Sequence, residues 1–234
     1  MKAQAYYLSQ LQNQRIYCGL IGVFSLLTTV YYVVGQHDTW ALLRMADSVP
    51  PIIGIACVVG VSSTVVSGMH NYAVTSGRTR MGVYWQILVG SAIAYIAVAT
   101  FVYLLAVGTY IASTFFSNTS ASLYAVTVVF LKYSVMCIFF VLVSTSLGMC
   151  ATSVAGALSY YALVVWLLPI FLVIAGLVRD GLSEILSSWT VGVLVAQFMA
   201  TESWNTLFLI LAQLTVWILV VMFMAAWRFN RRYT

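Results

Sequence analysis

The chain has 234 residues, of which 63% are hydrophobic and only 6% charged. Soluble domains carry about 25% charged residues, so a soluble fold of this size could not cover its surface, and the sequence reads as a polytopic membrane protein. The net charge of +5 comes from basic residues too scattered for a nucleic-acid footprint, and no nucleic-acid partner is expected.

In chain order, Met1–Arg15 places Tyr6, Tyr7, Leu8 and Leu11 among Gln, Ser and Asn. A short interfacial helix or a solvated tail both fit. Residues 16–37 carry no charge, and about 20 apolar residues cross a bilayer, which predicts a first span over 16–34. That span lacks a clear small-residue cleavage site, so it is expected to be retained rather than removed as a signal. A second span is predicted over 50–69, opening on Pro50-Pro51, where proline costs little because the first helical N–H groups have no partners. The polar stretch 70–86 interrupts the apolar sequence and contains Arg78 and Arg80. Read plainly, it is a basic cytoplasmic loop. Read more sharply, it is a docking element for a soluble partner.

The third span is predicted over 83–111 and the fourth over 124–150, with Lys132 inside the apolar run and the start of the fourth open. The fifth, 157–178, carries Pro169, which predicts a kink. The sixth is predicted over 204–227. Before it, the charge-free stretch 185–201 is short for a full span and suits a re-entrant or surface helix. With six spans, Lys2, Arg15, Arg78, Arg80, Arg228, Arg231 and Arg232 share one side with both termini. All five acids, Asp38, Asp47, Asp180, Glu184 and Glu202, lie on the other. The positive-inside rule then puts both termini in the cytoplasm. Ala56, Gly60, Thr64 and Gly68, and likewise Ser144, Gly148, Thr152 and Gly156, make two small-residue ridges suited to close helix packing. No internal repeat or linker is evident, and one transmembrane domain over 1–234 is expected.

The sequence offers little catalytic chemistry. Cys18, Cys57, Cys137 and Cys150 lie in apolar runs without a CxxC pair, so neither a metal site nor a disulfide framework is indicated. His37 and His70 fall at span ends on opposite sides. No HExxH, GxGD or Walker A pattern occurs, and the only lysines are Lys2 and Lys132. No catalytic residue, metal ligand or cofactor is therefore assigned to this chain, and it is not expected to hydrolyse ATP. Lys132 either snorkels to the outer interface or binds an acidic group of a substrate. Trp166, Gln213 and Trp217 lie mid-span, where packing and lining a substrate path are the alternatives.

The motif-like stretch is NYAVTSGRTRMGVYWQILVGS, with Asn71, Tyr72, Ser76, Gly77, Arg78, Thr79, Arg80, Tyr84 and Trp85. It resembles the segment entering the third span of ABC-2 type permease subunits, in particular small bacterial permeases of peptide export and self-immunity. Gln86 and Ile87 follow where the family usually carries lysine or asparagine. The six-span outline resembles the same family over the whole chain, with Met1–Arg15 as its N-terminal interfacial helix, 71–86 as its coupling helix and 180–202 as its re-entrant outer element. The resemblance implies a subunit of the cytoplasmic membrane, paired with an identical or different permease. Separate cytoplasmic ATPase subunits would supply ATP and Mg2+ chemistry. It implies export of an amphiphile, first a peptide such as a bacteriocin, second a lipid or drug-like molecule. A non-transporting membrane immunity or sensor protein that binds its target directly is the alternative, and an intramembrane enzyme is the weakest reading.

Overall fold

A computed structural model describes residues 39–67, 79–117, 123–167 and 188–231, with the isolated positions 19, 23 and 174. The expected N-terminal helix 1–15, the first span 16–34, the segment 71–78 and most of the second half of the fifth span lie outside these residues. What is described is helical, with no strand. We label the helices α1 (Thr39–Val66), α2 (Arg80–Ser117), α3 (Leu123–Cys150), α4 (Val154–Ala162), α5 (Val191–Ala200) and α6 (Trp204–Arg231). Four contain segments long and apolar enough to cross a membrane, at Ser48–Val66, Arg80–Gly108, Val126–Cys150 and Trp204–Arg231. The chain is an α-helical membrane protein.

Its surface agrees with that solvent. Ile93, Phe101 and Leu104 on α2 and Phe208, Leu219 and Phe223 on α6 all face outward. In water this much contiguous apolar surface would be an aggregation hazard, whereas lipid tails accept it without penalty. The interior is centred on α3, which packs against α1, α2, α4, α5 and α6. From Phe139 to Ala151 every α3-side residue except Leu142 is buried.

Helix ends follow local chemistry. Thr79 caps α2, its Oγ1 accepting from the Gly82 N–H at 3.2 Å. Ser153 caps α4 in the same way, accepting from the Gly156 N–H at 3.0 Å. Each cap satisfies one of the N–H groups a helix start leaves without a partner. After Ala162 the backbone widens into a π-helical turn over Leu163–Leu167.

One feature differs from the sequence reading, and one point it left open is placed. The helix that carries the second span does not open on the proline pair: it begins at Thr39 and holds Pro50 and Pro51 in its interior, although its apolar, membrane-length segment begins at Ser48, next to the expected start. The helix tolerates them where the carbonyls they leave unserved lie towards its polar first half. Lys132, which left the start of the fourth span open, stands inside one continuous helix from Leu123.

Five buried tyrosines bind the bundle together by a common device. Tyr95 on α2 donates to the Ala56 carbonyl of α1 at 3.1 Å. Tyr103 on α2 donates to Val126 O of α3 at 2.7 Å, and Tyr133 on α3 donates to Ala99 O of α2 at 3.0 Å. Tyr84 reaches Met222 O of α6 at 3.1 Å, and Tyr161 on α4 reaches Pro51 O of α1 at 2.7 Å. A helical carbonyl has a second lone pair to offer. A tyrosine ring can thus pack as an apolar body while its hydroxyl is satisfied across the helix gap.

Candidate functional site

Three places concentrate polar chemistry, and they lie at different levels of the bundle. The first is the end where α2 starts and α6 finishes. Arg80 donates from a guanidinium nitrogen to the Asn230 carbonyl at 3.4 Å. Below it Tyr84 packs against Phe229, centroids 5.9 Å apart, and edge-on against Trp85 at 5.5 Å. The last turn of α6 adds Arg228 and Arg231. Arg228 contacts the Tyr160 hydroxyl of α4 at 3.5 Å, and Arg231 lies 4.3 Å over the Trp227 ring. Cations at a helix C-terminus are favoured by its exposed carbonyls.

The second place is the opposite end. Lys132 lies about 14 Å along α3 from Leu123, at 1.5 Å per residue. Its ammonium donates to Met199 O at 2.8 Å and Thr201 O at 2.9 Å. These are the terminal carbonyls of α5, so the cation caps a helix C-terminus, where both charge and hydrogen-bond geometry favour it. α5 buries Val191, Leu194, Val195 and Phe198 on one face and turns at Thr201–Ser203 into α6. Its other end is held by the Trp217 indole N–H, which donates to Trp189 O at 2.8 Å. Trp217 is about 20 Å along α6 from Trp204. α5 therefore runs from nearly halfway along α6 back to its beginning. Its ten residues span about 15 Å, half of a hydrocarbon core of about 30 Å.

The third place is the junction of α1, α3 and α4. A Cβ on Gly54 would clash with the Tyr161 hydroxyl and come within 2.9 Å of Ser144 Oγ. Ser144 is fully buried, and among the described residues its hydroxyl makes no hydrogen bond of good geometry, the Tyr161 hydroxyl lying close by. One turn away, Cys57 Sγ and Thr145 Oγ1 are 3.1 Å apart. Gly148 permits the closest approach of α1 and α3, since a Cβ there would lie 3.1 Å from Val61 Cβ and 3.2 Å from Val58 O. Of the two ridges, Ser144 and Gly148 on α3 lie at this contact, while Ala56 and Gly60 on α1 are buried and Thr152, beyond the end of α3, is exposed.

Of the coupling-segment residues singled out in sequence, Asn71, Tyr72, Ser76, Gly77 and Arg78 lie outside the described residues. Thr79 is the cap of α2, Arg80 and Tyr84 tie α2 to α6, and Trp85 is half exposed on the bundle surface. The four mid-span candidates are not gathered in one place, although Gln213 and Trp217 stand one turn apart on α6. Lys132 holds α5, Trp217 holds Trp189, and Trp166 is an exposed ring edge-on to Tyr161 at 5.9 Å. Gln213 is half-buried on α6. Sequence reasoning counted Arg228 and Arg231 only as topology charges. Their spacing of three places both on one helical side, a signal that could have marked them as neighbours. Among the described residues no group of three His, Cys, Asp or Glu side chains is placed to hold a metal ion. No family model, curated protein or solved structure matches the chain.

Proposed function

We propose that this chain is the membrane-spanning permease subunit of an ATP-driven exporter of the ABC-2 type. In this reading it has six spans, cytoplasmic termini and a coupling segment over 71–86 that docks on a separate ATPase. The structural observation that supports the reading best is α5, a half-length helix folded back against the start of α6. Such an element is what the ABC-2 outline requires between the last two spans. The capped start of α2 at Thr79 adds support, since it gives residues 71–78 a fixed point on the bundle.

The described helices pack closely through α3, with tyrosine hydroxyls closing the gaps between them. In this reading the substrate path runs between two permease subunits rather than through one, and an amphiphile suits a path with an apolar wall. The same close packing favours a second reading, a non-transporting immunity or sensor protein, which needs no path at all. Introducing a photo-crosslinking residue at Tyr72 separates the two. The permease reading predicts an adduct with a cytoplasmic ATPase subunit on irradiation of cells. Irradiation that yields no protein adduct at Tyr72, with the chain inserted at normal levels, would count against the coupling assignment.

A further inference from the structure

We propose that the end of α1, residues 60–67, is a hinge built into an otherwise fixed helix. Four hydroxyls in this stretch donate back to carbonyls of their own helix. Ser62 Oγ donates to Val59 O at 3.1 Å and Ser63 Oγ to Gly60 O at 2.8 Å. Thr64 Oγ1 donates to Gly60 O at 2.9 Å and Ser67 Oγ to Thr64 O at 2.7 Å. In an α-helix Gly60 O is also the acceptor for the Thr64 N–H. A carbonyl has two lone pairs, so three donors compete for it and the backbone bond is loosened. Back-bonded serine and threonine bend helices in this way, and bends gather at glycine and serine pairs and where a side chain enters the backbone ladder.

One such hydroxyl does not break a helix. Thr100 on α2, Ser146 on α3 and Thr215 on α6 each donate to the carbonyl four residues before. The density on α1 carries the inference: four within six residues, two of them on one carbonyl.

The stretch begins where the packing is tightest. Tyr95 of α2 donates to Ala56 O, and Cys57 Sγ is 3.1 Å from Thr145 Oγ1 of α3. A Cβ on Gly148 would lie 3.1 Å from Val61. Beyond Val61 the cover thins: Ser62 and Val65 are buried, Ser63, Thr64 and Ser67 are half-buried, and Val66 is exposed. Small residues at the end of an element, next to a rigid contact, are where hinges absorb backbone change. The start of α2 is built the other way, with its cap at Thr79 and the Tyr84 bond to Met222 O fixing it to the bundle. A pull on the chain between the two helices would be absorbed by α1 and carried inward by α2. That use rests on the permease reading; the hinge itself does not.

The test uses the full chain in lipid nanodiscs without a partner, so its outcome is independent of the permease reading. Spin labels are attached at Val66→Cys and Leu131→Cys in a Cys18→Ser background, and the distance distribution is read by pulsed electron paramagnetic resonance. Val66 and Leu131 are exposed, whereas Cys57, Cys137 and Cys150 are buried, and buried thiols are unreactive. Leu131 lies about 26 Å along α3 from Gly148. The comparison pair is Leu131→Cys with Met81→Cys, on the fixed start of α2. The hinge predicts a distribution for 66–131 about twice as broad as that for 81–131. It narrows to match when Ser62→Ala, Ser63→Ala, Thr64→Val and Ser67→Ala are combined, and stays broad with Thr100→Val and Thr215→Val. Should the four-fold variant not fold, Ser63→Ala with Thr64→Val, which removes both hydroxyls from Gly60 O, decides by narrowing or not. Equal widths for the two pairs in wild type overturn the proposal. So does breadth that the α1 variants leave unchanged, or that the Thr100 and Thr215 changes remove. A freely mobile label at position 66 would mean fraying of the helix end rather than bending, and also overturns it.

Discussion

Gly54, Ser144 and Tyr161 show how little freedom a single position has where three helices meet. Gly54 has no room for a methyl group because the Tyr161 hydroxyl, fixed on Pro51 O, and Ser144 Oγ already occupy the space. Gly54→Ala is expected to cost roughly 1–3 kcal/mol, the usual range for overpacking. Ser144→Ala goes the other way: its hydroxyl is buried without a well-formed hydrogen bond among the described residues, so removing it is expected to be neutral or stabilising. Thermal unfolding in a fixed detergent checks both. Destabilisation by Ser144→Ala as large as by Gly54→Ala would contradict this. The five tyrosine-to-carbonyl bonds belong to the same scale. Hydrogen bonds between membrane helices contribute on average about 0.6 kcal/mol each, so their sum is a large part of a marginal stability while any one is modest.

α5 is the element that the rest of the polar chemistry serves. An apolar helix of ten residues cannot cross a bilayer, and its backbone groups at both ends must be satisfied without water. Lys132 supplies donors at its C-terminus, and Trp217 holds Trp189 just before its start. Lys132→Met would leave the Met199 and Thr201 carbonyls without a charged donor, a loss of about 1–3 kcal/mol. Faster hydrogen exchange over 195–201, with α3 unaffected, is the expected outcome. A second consequence concerns access. A cysteine replacing Trp189 should resist membrane-impermeant thiol reagents from either side, whereas one replacing Glu202 should react from one side. Ready labelling at position 189 would remove the re-entrant placement of α5.

At the scale of the whole molecule, charge spacing and hydrophobic run length were enough to mark the four long helices, because a bilayer imposes length directly. Where the reading went astray, backbone chemistry was the reason. Pro50-Pro51 looks like a helix start on local propensity, but packing of α1 against α3 carries the helix through the pair. Lys132 was legible as an unusual residue. Its partners were not, since a carbonyl at the end of α5 has no signature in sequence. The contact of Arg80 with the Asn230 carbonyl depends on α2 and α6 meeting at one end, which positions so distant in the chain do not announce. The permease reading still turns on residues 71–86, and its most direct test is a mild-detergent pull-down of the tagged chain from its native host, followed by mass spectrometry. The account predicts a stoichiometric ATPase subunit, with a second permease alongside if the pair is mixed. Recovery of the chain alone, under conditions that preserve a control ABC complex, would contradict it and leave the directly binding immunity or sensor protein in its place.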